Sequence, residues 1–129
     1  MSLIYRIWDK IYSFPYQIKW FIQRGRRGWS DDDVLGLDYY LASWLPDALR
    51  EFKKSKTSCP IGYFDENASG GEECHLFDDE LDKMIEGFEA ARRVQNHEFN
   101  FHSSDLEELK AKIDIGLESF KKNFLNLWY

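Results

Sequence analysis

Cysteine is scarce in this chain, proline hardly less so, and no stretch of it is both long and uncharged. Two cysteines, Cys59 and Cys74, cannot make the dense disulfide framework of a small secreted scaffold, and they read as free thiols in a reducing cytoplasm. No apolar run approaches the roughly 18 uncharged residues that a membrane-crossing helix needs. The opening MSLIYRIWDK carries charges inside its apolar stretch and has no small-residue cleavage pattern, so no secretory signal is expected. GxSxG, HExxH and phosphate-loop patterns are all missing, which removes the common hydrolase, metalloprotease and nucleotide-binding readings. No internal repeat or low-complexity tract stands out.

What is present points to an ordered helical protein. Apolar content of 43% against 31% charge excludes wholesale disorder. Aromatic residues make up 17%, so a core can be assembled from few positions. A length of 129 residues makes one structural domain the expectation.

Charge divides the chain. Residues 1–29 hold six basic side chains (Arg6, Lys10, Lys19, Arg24, Arg26, Arg27) against Asp9 alone, a charge of +5. Residues 30–129 hold 11 basic and 22 acidic side chains, a charge of −11. The basic part is also crowded with rings: Tyr5, Trp8, Tyr12, Phe14, Tyr16, Trp20, Phe21 and Trp29. It reads as a basic aromatic helical arm, 1–29, leading into an acidic helical body, 30–129.

Four segments have helical period, which predicts an all-α bundle of about four amphipathic helices. In the first, Leu3 to Arg24, apolar residues at 4, 7, 8, 11, 14, 18, 21 and 22 share a face, and Pro15 kinks that helix or starts a second one. RGRRG, residues 24–28, reads as a flexible connector. The second segment begins with Ser30 as N-cap and Asp31, Asp32 and Asp33 in its first turn; Ser30 with Asp33 approximates a capping box. Pro46 predicts a kink or break near Trp44–Leu45. Residues 57–76 form a long loop rich in turn formers. The third segment runs from about Asp78 to Val94, with Leu81, Met84, Ile85, Phe88 and Ala91 on one face. A connector at 95–102 leads to the fourth, where Ser104 and Glu107 have capping-box spacing and the apolar face continues to Leu127. The apolar end at Trp128–Tyr129 is expected to dock rather than dangle.

The stretch RGRRGWSDDDVLGLDYYLASWLPDAL resembles a block of small tailed-bacteriophage proteins. The matching positions are Arg27, Gly28, Trp29, Ser30, Asp31, Asp33, Val34, Leu37, Asp38, Tyr40 and Leu41. A weaker match follows at Pro60 and at Met84, Ile85, Phe88 and Glu89. Leu35 stands where that family often has Trp, and residues 61–75 replace a shorter acidic segment containing Trp. The resemblance implies a phage origin and a helical fold and carries no activity with it.

Cys59, Cys74, His75, His97 and His102 are candidate zinc ligands by residue type, but no tight pair exists among them. The carboxylate clusters 31–33, 72–73 and 78–80 lack calcium-loop spacing, and helix-start electrostatics accounts for two of them. No catalytic residue, metal or cofactor is expected.

Trp20, Arg24, Arg26, Arg27 and Trp29 are the candidate contacts, because arginines beside indoles attract anions and stack on flat groups. The chain is therefore expected to be a non-enzymatic, phage-encoded binding protein in the host cytoplasm. Its target would be a host protein, a nucleic acid or a small anionic signal, with blunting of host defence as the role. One alternative is a peripheral membrane protein whose first segment lies on a bilayer surface. A second is a small zinc-stabilised accessory protein. The arm can also pack on its own acidic body or on a second copy as a homo-oligomer.

Overall fold

The computed structural model describes residues 3–128. The protein is all-α, with five α-helices, two 3₁₀ turns and no strand among the described residues. The chain gathers into two compact units, Met1–Tyr40 and Leu41–Tyr129.

In the first unit α1, Leu3–Arg27, runs unbroken through Pro15 and on through Gly25, Arg26 and Arg27. The expected flexible connector is therefore the last turn of a helix. Its basic residues suit the negative helix end, and the Gly28 amide closes the turn on the Arg24 carbonyl at 2.9 Å. Gly28 then adopts φ 89°, a left-handed conformation that glycine takes without a Cβ penalty. α2, Asp31–Leu35, opens as expected: the Ser30 hydroxyl accepts from the Asp33 amide, and the Asp33 carboxylate accepts from the Ser30 amide. The predicted break near Trp44–Leu45 is absent. The helix interrupts at Gly36 instead, and α3, Leu37–Ser55, carries Pro46 inside it as a buried residue. Burial of the Pro46 ring against its surroundings offsets the one backbone donor it lacks.

In the second unit, α3 contributes Ala42, Pro46 and Leu49 to the interior. α4, His75–Gln95, begins three residues before the expected start. It buries Phe77, Leu81, Met84, Ile85 and Ala90, and Leu81 and Met84 are wholly inaccessible. Leu49, Phe77, Leu81, Met84 and Ile85 form the core, with Leu45, Phe52, Tyr63, Phe88, Phe120 and Leu127 packed around it. α5, Asp105–Asn123, crosses α4 where Gly87 meets Gly116, and the two backbones touch there because neither residue has a side chain. Ser104 makes no cap. Its hydroxyl donates to Glu108, while the Asp105 amide donates to the Ser103 hydroxyl, so the expected capping box does not form. α5 also stops before its apolar pattern does, and Phe124–Asn126 is a 3₁₀ turn. Leu127 packs on the core and Trp128 stays exposed; Tyr129 lies outside the described residues.

The thiol expectation is overturned. Cys59 and Cys74 are joined as a disulfide, and there is no free cysteine. It closes the loop containing the 3₁₀ turn Ile61–Tyr63. Sequence gave no sign of this, because the two residues become neighbours only when the 57–76 loop folds back to the start of α4.

Candidate functional site

α1 is a 25-residue helix in which no residue is buried. Ile4, Ile11 and Ile18 recur every seven residues, as do Ile7, Phe14 and Phe21. With Trp8, Pro15 and Ile22 they fill an arc roughly 140° wide at about 100° per residue. No charged residue from Leu3 to Ile22 falls inside it. Exposure along this arc runs from 45% at Ile18 to 77% at Phe21. A contiguous apolar strip on this scale marks a contact surface. The seven-residue recurrence was readable in the sequence and is the signal that locates this face.

The rest of the first unit folds onto the opposite side of α1. Arg24 clamps Asp33 with two bonds, Nε to Oδ2 at 2.8 Å and Nη2 to Oδ1 at 2.5 Å. Gln23 holds Asp31 both ways, donating from Nε2 to its carboxylate and accepting from its amide, each at 2.9 Å. Arg27 and Lys19 also pair with Asp31, at 2.6 and 3.5 Å. The Tyr40 hydroxyl donates to the Gly28 carbonyl at 2.5 Å. Lys19, Gln23, Arg24 and Arg27 all lie outside the apolar arc, so this elbow uses the polar side and leaves the arc uncovered within its own unit.

These contacts set the ionisation of the elbow. Hydrogen bonds from Gln23 and then Arg27 hold the Asp31 carboxyl down at about 2. The Arg24 guanidinium, helped by the Ser30 amide and hydroxyl, holds Asp33 well below the ordinary carboxylate range against the opposing effect of burial. Arg24 is raised in turn, chiefly by its bonds to Asp33.

The five sequence candidates therefore separate. Arg24 and Arg27 are committed to Asp33 and Asp31. Arg27 also donates to the Trp29 carbonyl at 2.9 Å and lies 5.6 Å from the Trp29 ring centre, so these two form a local pair. Trp20 points away from the apolar arc, half-buried, with Tyr16 beside it at 6.3 Å. Arg26 alone sits at the edge of the arc, and it makes no side-chain hydrogen bond or ion pair among the described residues. Arg6 and Lys10, on the other flank, are free in the same sense.

The zinc candidates do not assemble. Both thiolates are lost to the disulfide. His75 Nε2 contacts Asp65 Oδ2 at 2.9 Å; this bond raises His75 and lowers Asp65. His97 takes a left-handed backbone, φ 56°, with its ring near Phe99. The His102 amide donates to Asn100 Oδ1. Among the described residues no cluster of three or more His, Cys, Asp or Glu side chains could hold a metal.

In the second unit a groove of about 550 Å³ runs over Glu80, Lys83, Ile115, Ser119 and Lys122. Its half-buried carboxylate, Glu80, accepts from the Ser119 hydroxyl at 2.6 Å and pairs with Lys83 at 3.1 Å. Burial opposes its ionisation, but Ser119 and Lys83 outweigh that and keep Glu80 below its ordinary value. The network joins α4 to α5, and its donors already serve Glu80.

No family model, curated protein or solved structure matches this chain.

Proposed function

We propose that the protein is a non-enzymatic peripheral protein that attaches to anionic lipid surfaces through α1. The carrying observation is the uncovered apolar arc from Ile4 to Ile22 on a helix that buries nothing. Its borders support lipid as the occupant. Lys10 and Arg6 flank one side; Arg26, Tyr12 and Tyr5 flank the other, where Lys19 is paired with Asp31, and Asp9 lies opposite. Cations and phenols at the rim of an apolar face suit the zone between acyl chains and head groups. No helix among the described residues is long and apolar enough to cross a membrane, so α1 lies in the surface plane.

The seven-residue pattern also fits a second copy of α1, but the flanking charges oppose it. Coiled-coil seams carry opposite charges at their borders, whereas here every border charge is positive. A second copy brings the same cations, and a lipid surface brings anions. Magnitudes rank the contributions. Fully burying an Ile or Phe side chain stabilises by about 1.5–3 kcal/mol. A cation near an anionic membrane adds about 1 kcal/mol. Insertion of the arc dominates and charge tunes it. Of the anion-contact candidates Trp20, Arg24, Arg26, Arg27 and Trp29, Arg24 and Arg27 are paired with their own acids, and Arg26 stays available at the border of the arc.

The Cys59–Cys74 bond supports a setting oxidising enough to preserve it.

Flotation with vesicles of phosphatidylcholine and phosphatidylglycerol tests the attachment. The full chain is expected to float, and Ile11→Asp with Phe14→Asp to remain at the bottom with unchanged circular dichroism, since neither side chain is buried. A chain that stays off the vesicles, whether monomeric or as a discrete α1-dependent oligomer, overturns the proposal.

A further inference from the structure

We infer that α1 recognises the charge density of single phosphodiester head groups and has no stereospecific site for a polyphosphate one; this rests on the attachment reading above. The argument is the placement of the cations that remain uncommitted. Six basic side chains lie on α1, and the elbow takes three of them: Lys19 and Arg27 pair with Asp31, and Arg24 with Asp33. Arg6, Lys10 and Arg26 are left without side-chain partners among the described residues.

Those three cannot converge. Arg6 and Lys10 are neighbours four residues apart on one flank, close enough to share one phosphate oxygen set. Arg26 is on the other flank and, at about 1.5 Å of rise per residue, about 24 Å from Lys10 along the axis. A polyphosphate head group needs several donors aimed at one point, with Arg forks or backbone amides fixing its geometry. The largest local set here is two side chains. The acids of the elbow make the C-terminal end still less suited to concentrated negative charge, because Asp31, Asp32 and Asp33 follow directly. What remains is a rim of separated positive charges, each able to sit beside one singly charged lipid as the arc inserts. Membrane attraction then follows the number of anionic lipids beneath the helix, screened by salt.

The test compares vesicles with equal total charge, one set carrying phosphatidylglycerol and the other phosphatidylinositol bisphosphate. Expected are apparent affinities within about twofold of each other. Removing Arg6, Lys10 or Arg26 as Gln is expected to cost about fivefold per charge on either set, corresponding to about 1 kcal/mol per cation. Neutral vesicles are expected to show no such loss. Soluble inositol hexakisphosphate is expected to compete no better than sodium chloride of the same ionic strength, which separates lipid from free phosphate. A tenfold preference for the bisphosphate lipid at matched charge, or competition by the soluble polyphosphate beyond its ionic strength, overturns the inference in favour of a built site. Equal binding to neutral and anionic vesicles also overturns it, while leaving attachment by the apolar arc in place. Absence of binding to every vesicle removes the attachment itself.

Discussion

Arg24 grips Asp33 through two parallel bonds while the same carboxylate receives the Ser30 amide at 2.8 Å. One buried acid thus caps α2 and ties α1 to it. Asp33→Ala removes both functions and leaves the Ser30 amide and Arg24 without their acceptor. Loss of a cap of this kind costs about 1–2 kcal/mol. Amide exchange at residues 28–36 is expected to accelerate accordingly, with exchange in the α4 core unchanged.

The elbow has an acid limit. Asp31 has its pKa lowered from 3.8 to about 2, and Asp33 is lowered as well. A depressed carboxylate contributes stability above its unfolded value, and that contribution disappears as pH falls through the folded value. The Gln23 and Arg27 contacts to Asp31 are therefore expected to persist at pH 4 and to fail as pH drops through about 2, while the Arg24 contact to Asp33 outlasts them. Carboxyl carbon shifts of Asp31 and Asp33, followed by NMR from pH 5 downward, check this. A titration of Asp31 at an ordinary carboxylate value would contradict the geometry.

Gly87→Ala would place a Cβ 2.7 Å from the Gly116 Cα and 3.0 Å from the Lys112 carbonyl. Both obstacles are backbone, so no rotamer change relieves them, and α4 and α5 must separate. Overpacking typically costs about 1–3 kcal/mol, and this site should lie at the upper end. Urea unfolding of Gly87→Ala and Gly116→Ala is expected to show losses of similar size. The double variant should lose less than the two single losses combined, because one separation of the helices relieves both.

The Cys59–Cys74 bond spans a sequence separation of 15. Closing a loop of that length stabilises by roughly 3 kcal/mol in the chain-entropy account. Paired replacement Cys59→Ser with Cys74→Ser, or reduction of the native chain, should lower the melting temperature and open residues 57–76 to proteases. Intact-mass analysis before and after reduction and alkylation reads the bond directly; quantitative alkylation without reductant would contradict it.

Legibility in the sequence followed the range of the interaction responsible. Ser30, Asp31 and Asp33 were readable as a helix start because a cap acts over three residues. The core face of α4, from Phe77 through Leu81 to Ile85, was readable because a helical stripe repeats every three or four. Pro46 misled, since its cost depends on what its ring buries. Gly36 gave no warning, since glycine in a helical pattern is ambiguous until the chain departs from it. Ser104 and Glu107 had the spacing of a cap and did not form one, because the Ser103 hydroxyl took the Asp105 amide instead. Of the candidate site, Arg26 was legible as an available cation. The commitment of Arg24 and Arg27 was not, because their acids lie beyond a turn whose direction the Gly28 conformation sets.

Helical period and local charge alone determined that the chain is all-α, that its leading helix has one apolar face, and that cations border that face. These follow from residues within a turn or two of each other, and the backbone geometry of a helix carries them to one side without further information. Tertiary structure decided which cations remain free, that Cys59 reaches Cys74, and that the apolar arc of α1 stays uncovered within its unit. Those outcomes depend on groups brought together across turns, where direction in space, rather than spacing along the chain, selects the partner.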